Sequence, residues 1–423
     1  MMVRGQKTED RRQRKPPQSL SSVFCPLSSE TSRARLPAVI YLALIVYGSL
    51  HPFTDWHIPL DGVWEFLIEP WSRQVARSDI ITNIMVYLPF GVLTARSLRY
   101  RCSPAAAFVL ALLAGVLLSF AMESLQAFLP TRVASRLDWL LNGLGTALGA
   151  LSAALVQGRW VPLRALMLLR RRWFLPCNTA DQGLVVLALW ALAQLIPLLL
   201  FLDLESLQKG LWSLWRALLQ PSLLHWQQLI ADSLGIAGLG LFVTLYARSA
   251  KSVMPMYVAF VVTVLLLRVP VMSWRLSLET GAGAVLGLAS AMALLRSPHG
   301  LRLAAAALAI LASLILAKLT PEFSLWFKPP REVNWIPFAG KMHSLFGFAE
   351  ILAGLWPFFA LAALAQAAAP YRLHAWLGGA TLVLILIALE LAQQDVPGHR
   401  PDVTNVLLAL IGWAVPWWWR EKT

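Results

Sequence analysis

Residues 104–125 read PAAAFVLALLAGVLLSFAMESL: a proline, then an unbroken apolar run whose first ionisable side chain, Glu123, comes at the far end. Bilayer hydrocarbon is about 30 Å thick and takes roughly 20 residues of helix. Only a segment that satisfies its own backbone groups can cross it, so this run reads as a membrane-spanning helix. Working outward, runs of the same kind bounded by charges or proline fall near 36–54, 78–96, 104–125, 137–156, 183–203, 227–247, 253–272, 277–295, 300–318, 344–368, 373–393 and 402–419. The fold class expected is all-α: a polytopic transmembrane helical bundle of about twelve spans.

Composition agrees. Hydrophobic residues make up 58% of the chain and charged residues 14%, against about 25% charged for an ordinary soluble domain. Mean hydropathy is +0.62. A soluble fold could not cover so much apolar surface. The 19 Trp suit a protein with two headgroup boundaries to line. A net charge of +14 would fit a nucleic-acid binder only if it formed one stripe. It sits instead in short clusters between apolar runs, such as Arg96, Arg99 and Arg101, or Arg170, Arg171 and Arg172, so no nucleic-acid partner is expected.

Those clusters fall in alternate loops, and the positive-inside rule assigns that side, with both chain ends, to the cytoplasm. Cys25, Cys102 and Cys177 fall there too, where thiols stay reduced. They lack metal-ligand spacing, and neither a metal nor another cofactor is implied. The expected divisions are a basic, disordered cytoplasmic tail over 1–35, a first unit over 36–156, a basic cytoplasmic linker over 157–182, a middle unit over 183–296, a third unit over 300–419 and a short cytoplasmic tail over 420–423. The first apolar run begins near Leu36 with no small-residue cleavage site after it, so no removable signal peptide is expected.

The three units read as repeats of four helices. Each has a Trp- or aromatic-rich outer segment after its first span: DGVWEFLIEPW, KGLWSLWRALLQP and EFSLWFKPPREVNWIPF, expected to lie in the interface. Glu123, Gln126, Pro130, Asp138 and Gly145 recur with identical spacing as Glu390, Gln393, Pro397, Asn405 and Gly412. The middle unit keeps the apolar frame, NGLGTALG from Asn142 paralleling TGAGAVLG from Thr280. These small-xxx-small pairs let helices approach closely in lipid. The positions matching Glu123, Gln126 and Asp138 are Val261, Val264 and Leu276, so the middle unit is expected to have kept its packing and lost its polar groups.

NIMVYLPFG at Asn83–Gly91 and MESLQAFLPTRVASRLDWLLNGLGTALG at Met122–Gly149 resemble the VanZ-like family over about residues 37–156. A second, weaker copy spans about 301–419, through NWIPF at Asn334–Phe338 and ELAQQDVPGHRPDVTN at Glu390–Asn405. It departs from the family pattern at Asn405 and Ala409. The resemblance implies a multi-pass protein of the bacterial inner membrane, connected with the cell envelope and, in the founding member, with resistance to a glycopeptide antibiotic. It implies no settled reaction.

Glu123 and Gln126 share a helix face near the outer end of a span, as do Glu390 and Gln393. Arg132 with Asp138, and Arg400 with Asp402 and Asn405, return from the loops that follow. Each set gathers carboxylate, amide and guanidinium. It can tie loop to helix, bind an envelope amphiphile that is lipid-linked or glycopeptide-like, or perform acid–base chemistry with Glu123 and Asp138. The leading expectation is binding without catalysis, with membrane lipids around the bundle. A membrane enzyme acting on envelope lipids or sugars is the first alternative and a small-molecule transporter the second. Asn83, Asn142 and Asp232 read as structural helix-to-helix hydrogen bonders. Arg268 reads as a snorkelling side chain, the Trp417–Trp419 run as an interfacial anchor, and His399 has no metal role. Oligomeric state is left open.

Overall fold

In a computed structural model, the described residues are 28–419 except 52, 60–61, 69–76, 100, 158–167, 169, 197–207, 209–211, 213–218, 220–223, 271–276, 321–332, 339–340, 342–344, 369–371 and 397–400. Among them lie twelve helices of sixteen residues or more: α1 Ser28–Leu50, α2 Arg77–Leu98, α3 Pro104–Gln126, α4 Arg136–Gln157, α5 Asn178–Leu195, α6 Trp226–Leu245, α7 Ala250–Arg268, α8 Leu278–Ala293, α9 His299–Leu319, α10 Leu345–Ala368, α11 Arg372–Ala392 and α12 Val403–Trp419. Eight stretches are long and apolar enough to cross a membrane, and shorter apolar helices occur at Ala38–Leu50 and Val403–Trp419. The protein is a multi-pass α-helical membrane protein.

Local sequence explains where several helices begin. Ser103 accepts a hydrogen bond from the Ala106 amide and Pro104 opens α3, a residue pair suited to a helix start. Ser249 and Ser277 cap α7 and α8 in the same way. Helix α1 begins at Ser28, earlier than the 1–35 tail expected from composition, because nothing in SSETSRAR breaks a helix once the apolar stretch behind it nucleates one.

The helices are inside-out relative to soluble ones. On α3 the buried face is Ala107, Ala111, Gly115, Ser119 and Met122, while Leu110, Leu113 and Leu117 are exposed. Small residues face protein and large aliphatics face outward, as lipid permits. Helix α6 is the central strut. Every residue from Gly235 to Leu245 is buried, and apolar character all round a helix is what such a position requires.

The fourth helix of each unit packs along the second, α4 on α2, α8 on α6 and α12 on α10. Glycine makes the contact possible. A Cβ at Gly149 would strike the Leu88 carbonyl, one at Gly287 the Ser233 carbonyl, and one at Gly412 would sit 2.8 Å from Leu355 O. The middle and third units interlock, since α9 packs on α6 and α10 on α5.

Of the three aromatic outer segments, the second lies outside the described residues apart from isolated positions. The first folds in part as a 3-10 turn, Glu65–Leu67. Phe66 is buried against Phe120, ring centroids 6.1 Å apart, and Trp64 stays exposed. The third is described from Val333, where Asn334 pairs with Asp402 in an isolated parallel bridge.

Candidate functional site

The end of the bundle that collects the polar residues is built by helix termini. Glu123 is buried near the end of α3, and its Oε2 accepts from the Ser135 amide at 2.8 Å. Ser135 stands just ahead of α4, and its Oγ accepts from Leu137 N and Asp138 N. Glu123 therefore extends the cap of α4, with a carboxyl oxygen at the positive end of that helix. Gln126 Nε2 donates to Ser49 O at 3.0 Å. Arg132 Nη2 donates to Gly48 O at 2.8 Å and His51 O at 3.3 Å, placing a cation on the carbonyls that close α1. Three side chains thus bind α1, α3 and α4 at one end. The carboxyl group of Asp138 is hydrogen-bonded by Asn83 and lies within electrostatic range of Asp79 and Glu123. Deeper in, Asn142 Nδ2 donates to Ser119 Oγ at 2.9 Å, joining α4 to α3.

Residues 21–157 match the family described as VanZ/LLP1. This first unit is VanZ-like. No curated protein and no solved structure matches the chain. The matched segment contains α1 to α4, and with them every residue just named.

The third unit makes the same bonds outside the segment matched to the VanZ/LLP1 family. Glu390 Oε2 accepts from Asp402 N at 2.8 Å, at the same spacing as Glu123 and Ser135. Gln393 Nε2 donates to Lys318 O at 2.8 Å, as Gln126 does to Ser49. Two differences follow from single residues. Lys318 stands where the VanZ-like unit has Ser49, and Asn405 where it has Asp138. Lys318 Nζ at 3.3 Å and Asn405 Nδ2 at 2.8 Å both bond Glu390 Oε1. Lys341 Nζ lies 3.4 Å from Asp402 Oδ2, whose other oxygen accepts from the Thr404 amide at 2.8 Å. Both oxygens of Glu390 and both of Asp402 are thus engaged. In the VanZ-like unit, among the described residues, hydrogen bonding to Glu123 runs through Oε2 alone.

The two sets sit at the same end of the bundle and touch through a loop. Tyr47 Oη donates to Pro337 O at 2.7 Å and its ring meets Phe338 edge-on. Phe338 N in turn donates to Thr404 Oγ1 at 2.8 Å. The NWIPF stretch therefore bridges α1 and the start of α12. Arg400 and His399 lie outside the described residues.

Two groups here lie outside the spanning segments and are shifted by their surroundings. Burial, with the Arg132 charge second, pulls the His51 imidazole below its ordinary value. Burial also lowers Arg132, against which the Glu123 charge pushes upward.

In the middle unit Val261 and Val264 are buried and apolar, as expected, and Leu276 lies outside the described residues. A different polar group takes their place. Asp232 accepts from Gln228 Nε2 at 3.0 Å and from Thr280 Oγ1 at 2.9 Å, the latter joining α6 to α8. Arg268 does not snorkel. It is buried, and its Nη1 donates to Gln194 Oε1 at 2.8 Å, since the nearby charge of Asp232 and the Gln194 amide draw the guanidinium inward. Sequence reading missed Lys318, Lys341 and Gln194. Lys318 alone had a signal, a cation inside the end of an apolar run.

Among the described residues, no group of three or more His, Cys, Asp and Glu side chains could hold a metal ion.

Proposed function

We propose that this VanZ-like protein binds the polar head of an envelope amphiphile, lipid-linked or glycopeptide-like, at the Glu123, Arg132 and Asp138 end of its first unit, without turning it over. The end in question faces outward from the bacterial inner membrane, as the charge distribution of the loops directs. The third unit, with Glu390, Gln393, Asp402 and Asn405, serves as a structural sister that braces the first through Tyr47 and Pro337.

The observation that carries this reading is the contrast between the two glutamates. Glu390 has both oxygens engaged by Lys318, Asn405 and Asp402 N. Glu123 uses one for the cap of α4, and a carboxylate oxygen has room for further donors. An amide or ammonium group supplies them, and Asp138 adds a second acceptor nearby.

Binding of a lipid-linked glycan precursor to the protein in nanodiscs tests the reading. Glu123→Gln should weaken saturable binding by roughly tenfold or more, the worth of one charge-assisted hydrogen bond. Glu390→Gln should leave affinity unchanged. Equal affinity for native protein and Glu123→Gln would remove the proposal. Turnover of the precursor, abolished by Glu123→Gln and by Asp138→Asn, would replace it with acid–base catalysis by that pair.

A further inference from the structure

A second polar feature lies away from the VanZ-like unit. A cavity of about 180 Å³ opens among α5 to α10, lined by Trp190, Gln194, Asp232, Thr280, Ser313 and Trp356 with smaller apolar residues between them. A dry cavity of about 150 Å³ accepts a benzene ring, so this one suits a single ring with one or two substituents. Its polar groups are organised. Asp232 Oδ1 and Oδ2 each take one donor, from Gln228 and Thr280, and retain lone pairs for a third. Gln194 gives its oxygen to Arg268, leaving the amide N–H groups as donors. Pro357 lines the cavity inside α10. Having no N–H, it cannot donate to the carbonyl of Ala353 one turn earlier, also in the lining.

We infer that this cavity is a binding site for a small uncharged molecule carrying a hydroxyl group on an apolar ring. Charge selects against ions. Asp232 and Arg268 lie close enough to act on each other electrostatically, so the surroundings are balanced before a ligand arrives, and a net charge in an intramembrane site is costly. Hydrogen bonding selects for a hydroxyl, which donates to Asp232 or the Ala353 carbonyl and accepts from Gln194. The two indoles supply flat apolar contact for the ring. The site is separate from Glu123 and Asp138 and does not depend on what they bind.

Fluorine NMR of 4-fluorophenol with the full chain in nanodiscs reads the inference directly. Fluorobenzene and 4-fluorobenzylammonium serve as analogues without the hydroxyl and with a charge. Saturable 4-fluorophenol binding is expected, at least about tenfold tighter than either analogue, because a site built around a hydroxyl rejects its absence. Ala353→Phe on α10 and Ala317→Phe on α9, both in the lining, should each abolish it by filling the cavity, so that failure of one variant to fold leaves the other. Glu123→Gln should change nothing. No saturable binding, equal binding of fluorobenzene, tighter binding of the ammonium, or survival of the signal in a folded filled variant would each overturn the inference.

Discussion

Single residues decide how the two sister sites differ. Partly buried Lys318 and buried Glu390 are partners at 3.3 Å, and removing the lysine leaves a buried carboxylate without its cation. Lys318→Met should therefore cost about 3–5 kcal/mol, read as lost thermal stability in detergent, and Glu390→Gln in the same protein should recover much of it. Arg132→Ala should cost roughly 1.5–3 kcal/mol, the worth of hydrogen bonds from a charged donor, because Gly48 O and His51 O lose their cation. His51 adds a pH dependence. Its folded pKa lies below the ordinary 6.5, so below about that pH the unfolded chain binds the extra proton and stability falls with it. His51→Gln should flatten that acid limb in a melting series from pH 8 to pH 5. Sequence spacing pointed to Glu123, Gln126 and Asp138 because they recurred at fixed intervals with Pro130 and Gly145, and Arg132 was read from the loop that follows. It could not reveal that Glu123 caps α4 or that Arg132 caps α1, since those partners are backbone atoms and carry no side-chain signature.

At the scale of elements, the helix-pair contact between α2 and α4 rests on missing side chains. Gly149→Leu puts a branched chain where even a Cβ meets the Leu88 carbonyl. The variant should lose at least about 1–3 kcal/mol through overpacking, whereas Gly300→Leu, where a Cβ meets nothing, should melt as the native protein does. All twelve helices were legible as apolar runs, eight of them holding stretches long and apolar enough to cross a membrane and the one ending at Trp419 shorter. Their starts were less so. The α1 start at Ser28 follows from propagation of the apolar helix into a polar stretch without a breaker, which apolar periodicity does not report. The inward turn of Arg268 depends on Gln194, a residue 74 positions away in sequence.

For the whole molecule, the account rests on the two sister sites sharing one end of a membrane bundle, joined by Tyr47 and the NWIPF loop. Their shared end was legible because equivalent residues fell at equivalent places in runs of equal parity. In the middle unit Asp232 was legible as a helix-to-helix hydrogen bonder, but the pairing of Arg268 with Gln194 was not, because neither matches a polar position of the sister units. Accessibility of single engineered thiols in a variant with Cys25, Cys102 and Cys177 replaced by Ser is the most direct measurement. Val133, 84% exposed beside Arg132, and Trp335, 74% exposed in the NWIPF loop, should each, as Cys, react with a membrane-impermeant maleimide on intact cells. Labelling of one from outside and the other only after permeabilisation, or of both only after permeabilisation, would contradict it.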